Sequence, residues 1–197
     1  VQRFSPFNPT SAYSTSVIGG SMYDDGSGDY LYKASISVSG NFTVEGWFYL
    51  TYVSGSSVHI ISANNGGTGQ PDWIGGSNGS NIGFYLTGWV SSGVAFPKNQ
   101  WCHIALVNNG GTATMYLNGA SICSGSIGAY SYSGELIIGS YFNRQSGYYS
   151  DVRFSTTARY TTNFTPPSTP FTNDANTYLL CNMTNGAIYD SSMMNDL

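Results

Sequence analysis

Six aromatic residues stand among amides and hydroxyls in this chain: Trp73, Trp89, Tyr130, Tyr132, Tyr148 and Tyr149. An aromatic ring beside polar groups can stack on the apolar face of a sugar or cover a protein partner, so these six are the candidate glycan or partner contacts, carried on exposed loops. The alternative for Trp73 and Trp89 is that they pin polar loops to a sheet. The densest acids are Asp24, Asp25 and Asp29, in the string YDDGSGDYL. Carboxylate oxygens gathered in this way can hold a hard cation, although Asp-Gly-Ser-Gly-Asp is equally the chemistry of a turn. Asp72 and Asp151 are scattered alternatives, and none of these acids has a recognised calcium-loop spacing.

Reaction chemistry has fewer candidates. Hydrolysis by paired carboxylates needs two acids flanking one bond, and the only glutamates, Glu45 and Glu135, are isolated in sequence. His59 and His103 lie in apolar runs without a neighbouring Cys or Asp, which is the setting of a packed histidine rather than of a metal ligand or triad member. Cys102, Cys123 and Cys181 lack CxxC spacing and also sit in apolar runs, the pattern of buried reduced thiols. No catalytic residue is assigned, and the chain reads as a non-enzyme.

The elements that position these residues are strands. Period-2 alternation dominates, and no dozen residues keep the spacing of an amphipathic helix. In the clearest run, Phe42 to Thr51, one face carries Phe42, Val44, Gly46, Phe48 and Leu50, and the other carries Thr43, Glu45, Trp47, Tyr49 and Thr51. One of these faces is expected to meet the core. Further strands are expected at 58–63, 82–87, 101–107, 112–117, 121–125, 136–140, 149–154 and 178–183, separated by turn clusters. The fold class is all-β, a two-sheet antiparallel β-sandwich.

Two hairpins follow from Asn108-Asn109-Gly110-Gly111 and Asn118-Gly119, which supply positive φ angles. A two-residue turn at Asn118-Gly119 places Leu117 opposite Ala120 and Thr114 opposite Cys123. If Val107 faces Thr112 across the first turn, Ala105 faces Thr114. Cys123 then shares a face with Ala105 and not with Cys102, so no disulfide is expected between Cys102 and Cys123.

The chain has 197 residues, which fits one domain with a single core. Hydrophobic residues make up 41% and aromatics 15%, too many for a disordered chain, while charged residues reach only 8%. With a net charge of −4, such a surface repels phosphate backbones, so nucleic acid is not an expected partner. No apolar run approaches the length of a membrane span, and no membrane insertion is expected. Residues 1–20, with Pro6 and Pro9, read as an arm or linker, 21–183 as the sandwich, and 184–197 as a tail. Polar stretches from Asn64 to Asn81 and from Tyr141 to Gly147 read as exposed loops. The string NFTPPSTPF at 163–171 reads as an extended proline strap, expected to wrap a sandwich edge.

Several strings in order resemble the laminin-G-like branch of the concanavalin A-like lectin/glucanase superfamily. They are YDDGSGDYL from Tyr23, FTVEGWFYL from Phe42, WCHIALVNNGGTATMYLNG from Trp101, LIIG from Leu136 and YYSDVRF from Tyr148. The resemblance implies a jelly roll, and it implies an oxygen-ligated calcium at the sandwich rim, for which Asp24, Asp25 and Asp29 are the candidates. The segment ARYTTNFTPPSTPF from Ala158 is similar to the stretch that succeeds such domains in virion proteins of marine tailed bacteriophages. The chain departs from the family pattern before Val152-Arg153, where Tyr148-Tyr149-Ser150-Asp151 replaces a glycine, an aliphatic residue and two acids. The tail from Thr177 resembles the start of another such unit, which implies a longer or tandem protein.

The resemblance thus implies a virion structural module, either a capsid decoration or a tail-fibre adhesion domain. Its partners would be other virion proteins, copies of itself and a cell-surface glycan. A secreted, extracellular carbohydrate-binding lectin is the alternative.

Overall fold

The computed structural model describes residues 3–4, 20–54, 57–63, 70–77, 81–139, 145–183 and 188–190. In chain order the strands begin with Arg3–Phe4 (β1), Met22–Asp24 (β2), Tyr30–Ser39 (β3), Phe42–Val53 (β4) and Ser57–Ser62 (β5). Asp72–Ser77 (β6), Asn81–Tyr85 (β7), Trp89–Ala95 (β8), Trp101–Asn109 (β9) and Thr112–Leu117 (β10) come next. The last are Ala120–Ser126 (β11), Ser131–Gly139 (β12), Gln145–Ser155 (β13), Thr177–Met183 (β14) and Ile188–Asp190 (β15). No helix among the described residues is long and apolar enough to cross a membrane.

The strands form two antiparallel sheets. The larger runs β1-β2-β13-β4-β9-β10-β11, with β14 on β13 and β15 on β14; the smaller runs β3-β12-β5-β6-β7-β8. Alternation turns Phe42, Val44, Phe48 and Leu50 of β4 inward, together with Cys102, Ile104 and Leu106 of β9. Ile36, Val58, Trp73, Ile82 and Phe84 answer them from the smaller sheet, closing one core. Removing this apolar area from water is the main stabilising term of such a fold.

Both hairpins form where expected, but their registers differ from the expectation. Gly110 and Gly111 both have positive φ and make a two-residue turn, so Asn109 faces Thr112 and Val107 faces Thr114, two residues further along. Asn118 and Gly119 make the second turn, with Leu117 opposite Ala120 as expected, but Ile122 is an extra residue that bulges β11 and moves Cys123 opposite Met115. Cys123 therefore lies on the face of Leu106 and Cys102, not that of Ala105. The three thiols are free. Between Cys102 and Cys123 lies the whole of β10, a separation of two strand spacings, about 9–10 Å, beyond disulfide reach.

The other face of β4 is buried too, because the strap lies flat on it rather than around an edge. Tyr160, Phe164 and Ala158 pack on Ala105, Val107 and Tyr116, and Phe171 packs on Trp47, Trp101 and Leu180. Tyr160 and Phe164 are stacked with ring centroids 3.5 Å apart. The Phe164 N–H donates to Gly119 O at 3.0 Å, and the Ser121 N–H donates to Asn163 Oδ1 at 3.0 Å. Gly119 is required there: its φ is +81°, and a Cβ would stand 1.8 Å from Phe164 O. Thr43 holds the strap's start, donating to Thr157 O and accepting from the Arg159 N–H. The expected arm at 1–20, the tail at 184–197 and most of the two long polar loops lie outside the described residues.

Candidate functional site

The strap closes the outer face of the larger sheet over a buried charge cluster. Glu45 is fully buried on β4. Its Oε1 accepts from Arg153 Nε at 2.9 Å and NH2 at 2.6 Å, and its Oε2 lies 3.2 Å from His103 Nε2 and accepts from the Tyr160 hydroxyl at 2.8 Å. Burial alone would raise the Glu45 carboxyl; His103 and Arg153 outweigh it and hold the carboxyl below its usual value. The same burial, with the Glu45 charge, pushes the Tyr160 phenol up. Arg153 completes the cluster by lying 4.2 Å from the Phe171 ring centroid. Both carboxylate oxygens are occupied, and the hydrogen bond from the Tyr160 hydroxyl ties the strap to the cluster.

The outer face of the smaller sheet carries a different arrangement, set by two facing bulges. Ile60 and Ile61 of β5 both turn into the core, as do Trp73 and Ile74 of β6, where the pairing skips from His59–Gly75 to Ile61–Ile74 and then to Ser62–Asp72. The skips leave His59 and Asp72 on the outer face, with His59 Nδ1 2.5 Å from Asp72 Oδ2. Asp72 is nearly buried, and its Oδ1 has no hydrogen-bond partner. Burial raises the Asp72 carboxyl above its usual value more than His59 lowers it.

Asp72 belongs to a row that crosses all six strands of this sheet. Tyr32 faces Ile137, Ile137 faces Ser62, Ser62 faces Asp72, Asp72 faces Tyr85, and Tyr85 faces Trp89. The ends of the row are open, with Tyr32 47% and Trp89 41% exposed. Tyr85 and Trp89 meet edge to face with centroids 5.6 Å apart, and the Tyr32 hydroxyl donates to Glu135 at 2.9 Å. The middle of the row is closed, with Ile137, Ser62 and Asp72 at most 2% exposed, so the rings at its two ends are what this face can stack on a sugar.

Of the six expected contact residues, only Trp89 belongs to this row. Trp73 is fully buried, edge to face with Tyr132 at 5.4 Å and Phe154 at 5.5 Å, because it lies in a strand and not in a loop. Tyr130 is buried against Phe42, and Tyr149 is buried with its hydroxyl donating to Asp24 Oδ2 at 3.1 Å. None of these three rings is presented at the surface, which corrects the expectation for each. Tyr132 is half-buried and donates to Glu135 O. Tyr148 is half-buried on the other sheet, between Tyr23 at 4.9 Å and Tyr49 at 5.9 Å.

The three candidate calcium ligands do not converge on a common point. Asp24 is buried and accepts from the Gly26 N–H, Asp25 accepts from the Ser27 N–H, and Asp29 accepts from the Asp25 N–H, which is turn chemistry. Among the described residues no group of three or more His, Cys, Asp or Glu is arranged to hold a metal ion. The residues present do not fit the implied ion.

Sequence reasoning left His59, Asp72 and Glu45 without partners because their partners come from other strands. One signal was available: the doublets Ile60-Ile61 and Trp73-Ile74 break the alternation on either side of one turn, as paired bulges require.

Residues 25–163 match the laminin G family model described as the concanavalin A-like lectin/glucanases superfamily. The chain belongs to that superfamily. No curated protein matches this concanavalin A-like chain in sequence. Its fold is similar to domain 4 of AbnA, a GH43 extracellular arabinanase from Geobacillus stearothermophilus, with a TM-score of 0.59 and 14% identity over 80% of this chain and 76% of that one. It is also similar to the enzymatically active domain of bacteriophage CBA120 tailspike protein 2, with a TM-score of 0.60 and 14% identity over 95% of this chain and 32% of that one. A putative carbohydrate binding protein from Bacteroides ovatus has a TM-score of 0.51 and 15% identity over 82% of this chain and 55% of that one. At these identities the likeness is one of fold.

Proposed function

We propose that this domain is a non-catalytic carbohydrate-binding module of a bacteriophage virion, and that it takes glycan on the outer face of the smaller sheet. The observation that carries the reading is the pair of exposed rings, Tyr32 and Trp89, at the two ends of the row. The strap supports the choice of face, since it covers the corresponding centre of the other sheet. Two similar folds point the same way: the arabinanase domain was solved in complex with arabinotriose, and the Bacteroides ovatus protein is described as carbohydrate binding. The virion setting rests on the ARYT and proline-strap resemblance and on the tailspike fold that aligns along most of this chain. Other virion proteins and copies of this chain would be its partners, with a capsid decoration or a tail fibre as its place.

The test is a glycan array on the full chain, with and without calcium, and then calorimetry on the best ligand. Trp89→Ala should abolish measurable binding without lowering the melting temperature by more than a few degrees. Silence on the array would remove the glycan reading. Peptides of the chain in purified particles, against their presence only in secreted fractions, separate the virion from the extracellular lectin alternative.

A further inference from the structure

We infer that the outer face of the larger sheet carries a second binding surface, the aromatic row Trp101, Tyr49, Tyr148 and Tyr23, for an extended partner segment bearing Pro-x-x-Pro. This surface lies on the opposite sheet from the glycan face proposed above and does not depend on it. Strand pairing sets the row: Trp101 faces Tyr49, Tyr49 faces Tyr148, and Tyr148 faces Tyr23. Tyr23, Tyr49 and Tyr148 keep part of their surface in solvent, and Tyr52, further along the strand of Tyr49, is 52% exposed.

The strap shows what this face accepts. Within it Pro167-Ser168-Thr169-Pro170 has both prolines half-buried while Ser168 and Thr169 are exposed, the pattern of a chain with three residues per turn that lays every third side chain on the sheet. The next residue, Phe171, packs on Trp101. The row therefore continues the seat of a proline-bearing segment onto rings that the strap leaves partly open.

Ring geometry fits the same chemistry. From Trp101 to Tyr49, Tyr148 and Tyr23 the successive centroids are 5.8, 5.9 and 4.9 Å apart, with planes inclined at 59°, 69° and 38°. Inclined rings form wedges rather than one flat platform, and a wedge suits a proline ring where a sugar stacks on a flat face. The wedge between Trp101 and Tyr49 and the wedge between Tyr148 and Tyr23 are two strands apart, about 9–10 Å. Three residues of a polyproline helix advance about 9 Å, which brings the two prolines of Pro-x-x-Pro to these two wedges. Such a segment makes no internal hydrogen bonds, so its carbonyls need donors, and the tyrosine hydroxyls supply them. No member of the row is charged, so the prolines of the partner are read rather than its charge.

The test uses the full chain and a library of synthetic peptides with Pro-x-x-Pro at their centre, the strap's own sequence NFTPPSTPF among them. At least one peptide should bind, and its counterpart with both prolines replaced by alanine should bind at least about tenfold more weakly. Tyr148→Ala should weaken the parent peptide by at least about tenfold. Because Tyr148 also packs on Tyr23 and Tyr49, amide chemical shifts of the unaltered chain supply a second reading, and they should move on β2, β4 and β13 around the row. Silence of the whole library, equal binding of the alanine counterpart, or shifts confined to the strap or to β7 and β8 would overturn the inference. A glycan-array ligand that moves the same amides would assign the row to sugar and overturn it as well. A bound peptide beside a silent glycan array would remove the glycan reading and leave this surface standing.

Discussion

The Tyr160 hydroxyl donates to Glu45 Oε2 at 2.8 Å, so a residue of the strap supplies one of the hydrogen bonds of a carboxylate buried on the sheet beneath it. Sheet and strap thus share one charge cluster, and neither is complete alone. Glu45→Ala would leave Arg153 buried without its counter-charge and His103 Nε2 without its partner, and it should cost about 3–5 kcal/mol in a denaturant titration. Tyr160→Phe removes one charge-assisted hydrogen bond and should cost about 1–2 kcal/mol. Equal costs for the two variants would mean that the charges are not coupled through Glu45.

The pH dependence carries two opposite signs. Glu45 titrates below its ordinary value in the fold because His103 and Arg153 outweigh the effect of burial, so its stabilisation is present above about 4.5 and lost as pH falls through the folded value. Asp72 is raised, chiefly by burial, so its contribution is fully present below 3.8 and lost as pH rises through the folded value. Calorimetric melting between about pH 2 and pH 7 should show a shallower acid limb in Glu45→Gln. It should show a smaller loss on the rising side in Asp72→Asn. An acid limb unchanged in Glu45→Gln would assign acid unfolding to other carboxylates.

Gly119→Ala tests the seat of the strap. The new Cβ would collide with Phe164 O, and the φ of +81° disfavours any side chain, so a loss of about 1–3 kcal/mol is expected, with earlier proteolysis within residues 156–176. Gly88→Ala is the control. Nothing lies within 4 Å of its Cβ position and its φ is ordinary, so the change should stay within about 0.5 kcal/mol. Similar behaviour of the two variants would show that the strap does not press on Gly119.

Trp73 and Trp89 should separate stability from recognition. Trp73 is fully buried between Tyr132 and Phe154, and Trp73→Ala should cost about 3–5 kcal/mol in chemical unfolding. Trp89 is 41% exposed, so Trp89→Ala should cost less than about 1 kcal/mol. The reverse order would contradict the strand assignment of Asp72–Ser77.

The thiols offer a direct check of packing. Burial pushes the Cys102 thiol up to about 12 and the Cys123 thiol up to about 11. Iodoacetamide at neutral pH should leave both largely unlabelled in the folded chain and label both in denaturant. Rapid labelling of Cys102 in the native chain would require an opening of β9.

What alternation and turn chemistry could reveal, they revealed. The inward face of β4 and both glycine turns are local consequences of side-chain period and backbone freedom, readable from neighbours in the chain. Registers were less secure, because the single extra residue Ile122 shifts every pairing beyond it. Exposure was misjudged for Trp73, Tyr130 and Tyr149 because polar neighbours in sequence do not say which way a ring turns.

The sequence by itself determined an all-β sandwich with a proline-bearing strap, since both arise from local periodicity and from what proline forbids. Tertiary structure alone decided that the strap lies on a sheet face and that Glu45 meets Arg153 across 108 positions of chain. It also decided that two bulges bring His59 to Asp72. The reason is physical: a buried charge is tolerated only where distant strands supply its partners, and that pairing is a property of packing rather than of neighbours along the chain.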